Sequence, residues 1–207
     1  MMALLARGGI LVGPILLCSV VGLAIFTERL IHFIRLKVRE DVVVNDIAEL
    51  ISQGKIREAS DLASQGDTPM GRILVNAIEV LGQDRETLET VITHSMEEEI
   101  RRSTRYLQAL STIGNIAPLL GLLGTVLGMI KAFMVIQEMG GKVNAVVLAG
   151  GIWEAMLTTA LGLFVALPVM VGHSYLLSRV EKHEAQLRNG MVQFMKAVGV
   201  WQMGGRQ

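Results

Sequence analysis

The chain has 207 residues with equal numbers of basic and acidic side chains, 19 of each, so its charge balance gives no reason to expect nucleic acid as a partner. Hydrophobic residues make up 51% of the chain, yet only 4% are aromatic and 22 residues are glycine. Glycine destabilises the helices of soluble proteins but is common where membrane helices pack closely. This composition therefore favours membrane helices, and the single cysteine, Cys18, excludes an internal disulfide.

Three segments are long and apolar enough to cross a bilayer core of about 30 Å, which takes roughly 20 residues of helix. The first apolar run, 8–27, carries no charge, and the third contains a single acid, Glu154. The predicted division of the chain is residues 1–27 for the N-terminus and first transmembrane helix, 28–105 for a cytoplasmic helical region, 106–137 for the second transmembrane helix, 138–144 for an outer loop, 145–178 for the third transmembrane helix and 179–207 for a cytoplasmic C-terminal helix and tail.

Basic residues gather at one end of each predicted span. They follow the first span (Arg29, His32, Arg35, Lys37 and Arg39), precede the second (Arg101, Arg102 and Arg105) and follow the third (Arg179, Lys182 and Arg188). Because cytoplasmic flanks of membrane helices carry the excess of Lys and Arg, the N-terminus is predicted outside and the C-terminus in the cytoplasm. The predicted fold class is an all-α membrane protein with three transmembrane helices and long helical cytoplasmic extensions.

Helix signals divide the cytoplasmic region. Gly54 is expected to end one helix before the next begins at 55, and Thr68 followed by Pro69 predicts another helix start. Asp84 is expected to cap a helix that meets no breaker before the second span, so a single helix is predicted from about residue 85 through the membrane. The acidic run 97–99 lacks metal-ligand spacing and is typical of a solvated surface.

Small residues recur on one stripe of each of the last two spans. The second span has Gly114, Pro118, Gly121, Thr125, Gly128 and Ala132 at spacings of four and three, and the third has Ala155, Thr159, Gly162 and Ala166. Each stripe contains one threonine. At 1.5 Å per residue from the outer turn, the two hydroxyls lie roughly 20 and 24 Å deep, so they are expected to meet near the middle of the membrane. The alternative is that the stripes only pack helices and that each threonine bonds the carbonyl four residues before it in its own helix.

Glu154 lies five residues before Thr159, about 7 Å closer to the outside. An acid within a membrane span is costly and is a functional candidate by default, while an acid reaching the outer interface is the alternative. The sequence shows no nucleophile–base pair, phosphate loop or paired carboxylates, so neither catalysis, a metal nor a cofactor is predicted. Three helices cannot enclose a water path, so a channel would need several copies of the chain.

Several segments resemble the MotA/TolQ/ExbB proton channel family. They are APLLGLLGTVLGMIKAF (117–133), GGIWEAMLTTALGLFVALPVMVGHSY (150–175), ERL (28–30) and DTPMGRIL (67–74). Three spans favour the ExbB and TolQ branch. Two positions depart from the family pattern, because Trp153 stands where a smaller residue is usual and His173 with Ser174 replaces an aromatic–amide ending.

The resemblance implies a homopentamer in the bacterial inner membrane that encloses the transmembrane helices of a dimeric, single-span ExbD-like partner. An aspartate of that partner takes and gives protons, and the flow turns the partner helices, which pull on a TonB-like protein. Thr125 and Thr159 match the pore threonines of the family, and Glu154 matches its third-span glutamate. Two other functions stay open, namely a TolQ-type subunit that acts with TolR and TolA, and a passive membrane scaffold.

Overall fold

The computed structural model describes residues 10–36, 40–66, 68–138 and 145–204. Within these ranges the chain forms seven α-helices and no strand. The helices are α1 (Val12–Leu36), α2 (Glu40–Ser52), α3 (Ile56–Gln65), α4 (Pro69–Glu79), α5 (Arg85–Thr104), α6 (Leu107–Glu138) and α7 (Ala145–Gly204). The predicted all-α fold is confirmed, and three segments, which include α1, α6 and α7, are long and apolar enough to cross a membrane. Residues 8–9 of the first apolar run and 139–144 of the predicted outer loop lie outside the described residues.

Contacts group the chain into two compact units. The first comprises Met1–Arg29 and Tyr106–Leu176, and the second comprises Leu30–Arg105 and Leu177–Gln207. The last helix, α7, runs for 60 residues and contributes residues to both units.

Exposed side chains of the first unit are large and apolar. Phe164 is 76% exposed, Leu167 is 63% exposed and Leu119 is 61% exposed, whereas glycines and alanines fill the contacts between α6 and α7. This distribution is the reverse of that in a water-soluble domain, in which large apolar side chains form the core. It is the distribution expected of helices whose outer faces meet lipid, and the chain is a multi-pass membrane protein.

A break separates α5 from α6, where the sequence predicted one continuous helix. Tyr106 has a φ of 67°, in the left-handed region that a bulky side chain rarely adopts. The guanidinium of Arg29, a residue only 4% exposed, stands 5.2 Å from the centre of the Tyr106 ring. A cation–π contact within the first unit thus accompanies the strained backbone. The sequence could not reveal the break, because tyrosine is an ordinary helix residue.

The second unit packs helices α2 to α5 and the C-terminal part of α7 around an apolar core. Ile47, Ile73 and Phe194 are fully buried within it. The predicted helix starts and the predicted turn at Gly54 are confirmed in this unit, whereas the end of α5 was not predicted. Gly54 has a φ of 77° in the turn between α2 and α3, and the Thr68 hydroxyl accepts a hydrogen bond from the Gly71 N–H at 3.0 Å at the start of α4.

Asp84 caps α5, as predicted. Its carboxylate accepts hydrogen bonds from the backbone N–H of Thr87 at 2.8 Å and from the hydroxyl of Thr87 at 2.7 Å. These bonds, the backbone one first, hold the pKa of Asp84 below its usual value, because they stabilise the charged carboxylate.

One acid of the run 97–99 contradicts the predicted solvated surface. Glu99 is only 5% exposed, and its two carboxylate oxygens accept hydrogen bonds from Arg72 at 2.9 and 2.6 Å. Arg102 lies 3.3 Å from the same carboxylate. Arg72 belongs to the segment DTPMGRIL, so this segment supplies both a helix start and the partner of a buried acid.

We predict that Arg72→Ala lowers the free energy of unfolding by about 2 kcal/mol, because it leaves Glu99 buried with weaker compensation. Arg85→Ala is the matched control. Arg85 pairs with Glu89 at 2.7 Å, but both side chains are exposed, so its loss should cost well under about 1 kcal/mol. Urea unfolding of the full chain in detergent, followed by far-UV circular dichroism, measures both effects. Equal destabilisation by the two substitutions would contradict the structural role of the buried pair.

Candidate functional site

Helices α6 and α7 touch along their backbones. A Cβ added to Gly121 would lie 2.9 Å from the Thr159 Cα, and one added to Gly162 would lie 2.6 Å from the Ala117 carbonyl oxygen. About two turns further along α6, a Cβ on Gly128 would lie 2.9 Å from the Cβ of Ala155. Glycine is needed at these positions because any side chain would push the two helices apart.

The interface lies slightly to one side of the predicted stripe. Gly114, Gly121 and Ala132 are buried against α7, whereas Pro118 and Thr125 are half-buried at its edge. Buried residues that the stripe omits are Ala117 and Gly124. A strict seven-residue spacing drifts around a straight α-helix, which has 3.6 residues per turn, and this drift displaces the interface.

The stripe of α7 is packed as its small residues suggest, with Ala155, Gly162 and Ala166 buried. Thr158, which the sequence analysis did not single out, is also buried, and its side chain fills the space beside Gly124. The signal that could have found it is the pair Thr158–Thr159, since either hydroxyl of such a pair can point into a helix contact.

The two predicted hydroxyls have different partners. Thr159 donates to the Gly121 carbonyl of the neighbouring helix at 2.8 Å, and thereby ties α7 to α6. Thr125 donates to the Leu122 carbonyl of its own helix at 2.7 Å, a local bond as in the packing alternative but to the carbonyl three residues back instead of four. Each hydroxyl oxygen can still accept a hydrogen bond from water or a ligand.

Glu154 is half-buried and lines a cleft of about 180 Å³. The cleft is bounded by Ile10, Leu11, Gly124, Leu127, Gly128, Lys131, Glu154 and Thr158. Its ionisable groups are the carboxylate of Glu154 and the ammonium of Lys131, a residue that the sequence did not mark as part of the site. The structure therefore brings Glu154 together with the hydroxyl of Thr158, whereas Thr125 and Thr159 do not line this cleft.

The two departures from the family pattern lie apart from this cleft. Trp153 is 58% exposed, and His173 is half-buried more than five turns further along α7. A second histidine of the same helix, His183, is buried in the second unit, and no motif in the sequence had pointed to it. Among the described residues no group of three His, Cys, Asp or Glu side chains could hold a metal ion.

The family model described as the MotA/TolQ/ExbB proton channel family matches residues 65–189, which include α6, most of α7 and every lining residue of the cleft except Ile10 and Leu11. The chain belongs to this family. The recognition made from the sequence is confirmed, and the family is one of transport channels rather than an enzyme class.

Similar proteins are named for biopolymer transport. A Synechocystis protein named provisionally as biopolymer transport protein ExbB-like 1 is 31% identical over 93% of this chain and 74% of its own length. Another from the same organism, ExbB-like 3, is 30% identical over 79% of each chain. Biopolymer transport protein exbB1 of Vibrio cholerae is 27% identical over 87% of this chain and 81% of its own.

We predict that Gly162→Ala separates α6 from α7, because the new methyl group would collide with the Ala117 carbonyl and the Gly121 backbone. The midpoint of thermal unfolding in detergent should fall, with a loss of about 2 kcal/mol that is typical of overpacking. Gly150→Ala, in the same helix but with nothing within 4 Å of the added Cβ, should leave the midpoint unchanged or raise it. Similar midpoints for both variants would show that the backbone contact does not hold the pair together.

Proposed function

We propose that the chain is a proton-channel subunit of an inner-membrane motor that couples the proton motive force to TonB-dependent outer-membrane transport. It assembles as a homopentamer around a dimeric ExbD-like single-span protein. The observation that carries the proposal is the position of Glu154, a half-buried acid that lines a cleft between two apolar helices of a proton-channel family member. The ExbB names of the similar proteins favour the TonB-linked function over a TolQ-type one.

The proposed orientation has the N-terminus outside the inner membrane and the second unit in the cytoplasm. Its support is the excess of Lys and Arg at the matching ends of the three spans. With this orientation the cleft at Glu154 lies toward the outer side, and protons enter there before they move inward.

A proton path cannot run between α6 and α7 of one chain, because backbone contacts at Gly121 and Gly162 close that interface. We therefore propose that the path follows the exposed edge that carries Thr125, and that a ring of copies encloses it. The hydroxyls hydrogen-bond water and a neutral carboxyl group without holding a charge. The titratable group at the depth of these hydroxyls is a carboxyl of the partner. The energy comes from the membrane potential, since one charge that crosses 100 mV releases roughly 2.3 kcal/mol.

We predict that Glu154→Gln abolishes most proton-driven work while the oligomer with its partner still forms. Glutamine keeps the size and the hydrogen-bonding capacity of the side chain but cannot carry the charge that attracts protons and water into the cleft. Glu181→Gln, an exposed acid of the same helix outside the cleft, is the control and should behave as the wild type. Acidification inside proteoliposomes that hold the co-purified complex measures proton flux, and wild-type flux in Glu154→Gln would remove this residue from the path.

The threonines distinguish a channel from a passive scaffold. We predict that Thr125→Val lowers proton flux at least tenfold with little change in thermal stability, because its hydroxyl bonds only a carbonyl of its own helix. Thr125→Ser keeps the hydroxyl and should retain flux. Thr159→Val should reduce both flux and stability, since it removes the bond to Gly121. A scaffold would tolerate the loss of the Thr125 hydroxyl without any functional change.

A further inference from the structure

A groove of about 650 Å³ lies on the second unit, between α5 and the last turns of α7. The lining residues of α5 run from Arg85 to Met96 and those of α7 from Arg188 to Gln202, at spacings that place each set on one face of its helix. At 1.5 Å per residue these stretches are roughly 17 and 21 Å long. The α5–α7 groove is therefore as long as a helix of about three to four turns.

The floor of the α5–α7 groove is apolar and rich in methionine. Leu88 and Met191 are buried, Met96 and Met195 are partly buried against the core of the unit, and Val192 is 53% exposed. Methionine side chains are flexible and polarisable, so they adapt to the apolar side chains of a partner. An apolar groove of this length between two helices suits the apolar stripe of a third, amphipathic helix.

The rim of the groove is basic. Of its four charged residues three are cations, Arg85, Arg188 and Lys196, and one is an acid, Glu89. Arg85 pairs with Glu89, and Arg188 pairs with Glu184 outside the groove, each at 2.7 Å. Such pairs between exposed side chains are weak, and Lys196 has no ion pair with any residue that the structure describes. The excess of positive charge along the rim favours a partner that carries acids.

A second copy of the chain offers no matching surface. In the described side chains of 44–105 no large apolar residue is exposed, so these helices present no stripe that would fill the groove of a neighbour. Beyond Arg179 the exposed large apolar residues that the structure describes are Val192, Val200 and Met203, and Met203 follows Val192 by three turns on the same face. Two copies would therefore meet groove to groove, and their basic rims would repel each other.

We propose that the α5–α7 groove is a docking site for an acidic amphipathic helix of another protein. Apolar side chains of that helix, spaced i, i+3, i+4 and i+7, pack on the methionine floor, and its Asp or Glu residues face Arg85, Arg188 and Lys196. The apolar contact supplies most of the affinity, and the charges select an acidic partner over a basic one. This role belongs to the second unit and is independent of the proposed channel function.

Two synthetic helical peptides test the selection by charge. They share one leucine stripe and carry either glutamate or lysine at the flanking positions. Binding to the full chain in lipid nanodiscs is followed by fluorescence anisotropy, and nanodiscs without protein correct for binding to lipid. The glutamate peptide should bind at least about tenfold more tightly, and this preference should shrink at high salt, which screens charges. Equal affinity for the two peptides overturns the inference.

Charge reversal identifies the groove as the place of binding. Arg188→Glu combined with Lys196→Glu should weaken binding of the glutamate peptide at least about tenfold. The matched control combines Arg57→Glu with Lys182→Glu, which reverses two exposed bases of the same unit outside the groove and should bind as the wild type does. Far-UV circular dichroism checks that both double variants are folded. Equal affinities of the two double variants for the glutamate peptide contradict docking in the groove.

The natural occupant is identified by a photo-reactive residue in the full chain in its own membrane. Benzoylphenylalanine replaces Val192 in the groove or, as a control, Glu181, an exposed residue of α7 outside it. Position 192 alone should cross-link to another protein, through a segment rich in Asp and Glu with apolar residues at helical spacing, and the Arg188→Glu, Lys196→Glu background should abolish this product. A product with a second copy, with lipid alone or with a segment lacking an excess of acids overturns the inference, as does the absence of any product.

Discussion

The structure of the first unit depends on direct contact between the backbones of α6 and α7. At Gly121 and Gly162 no side chain separates the helices, and the Gly121 carbonyl also accepts the hydroxyl of Thr159. In lipid, where apolar side chains gain little by leaving the solvent, this close approach and the hydrogen bond supply the attraction that holds the helices together. The contact fixes which residues face each other, and so it places Glu154 and Lys131 in one cleft.

The second unit is stabilised by different means. It has an apolar core around residues such as Phe194, and a buried acid, Glu99, whose charge is compensated by Arg72. The Gly71 backbone passes so close to the Ala63 carbonyl that a side chain would not fit, which explains the glycine of the segment DTPMGRIL. A single short segment thus combines a capping hydroxyl, a close approach and an ion pair.

Much of this arrangement could be predicted from the sequence, because local chemistry determines it. The caps at Thr68 and Asp84 and the turn at Gly54 follow from residue type and are where they were expected. The break at Tyr106 could not be predicted, since its left-handed backbone accompanies a contact with the distant Arg29.

The candidate site was predicted in part. The small residues revealed that α6 and α7 pack closely, but a seven-residue stripe could not show that Gly124 and Thr158 belong to the interface. Nor could it show that the two threonine hydroxyls have different partners. A threonine hydroxyl can donate to a carbonyl of its own helix or of a neighbouring helix, and the packing of the two helices decides between them. The sequence also could not show that Lys131 shares a cleft with Glu154, because that depends on how the two helices pack and not on either segment alone.

Glycine contacts also restrict how the first unit can move. Two helices joined through side chains can slide as those side chains change rotamer, but Gly121 and Gly162 have none to adjust. A shift of α7 along α6 would move the Thr158 side chain away from Gly124, the glycine that leaves room for it. The two helices are therefore expected to tilt or turn together as a single rigid body, and rearrangement during a working cycle must occur on their outward faces.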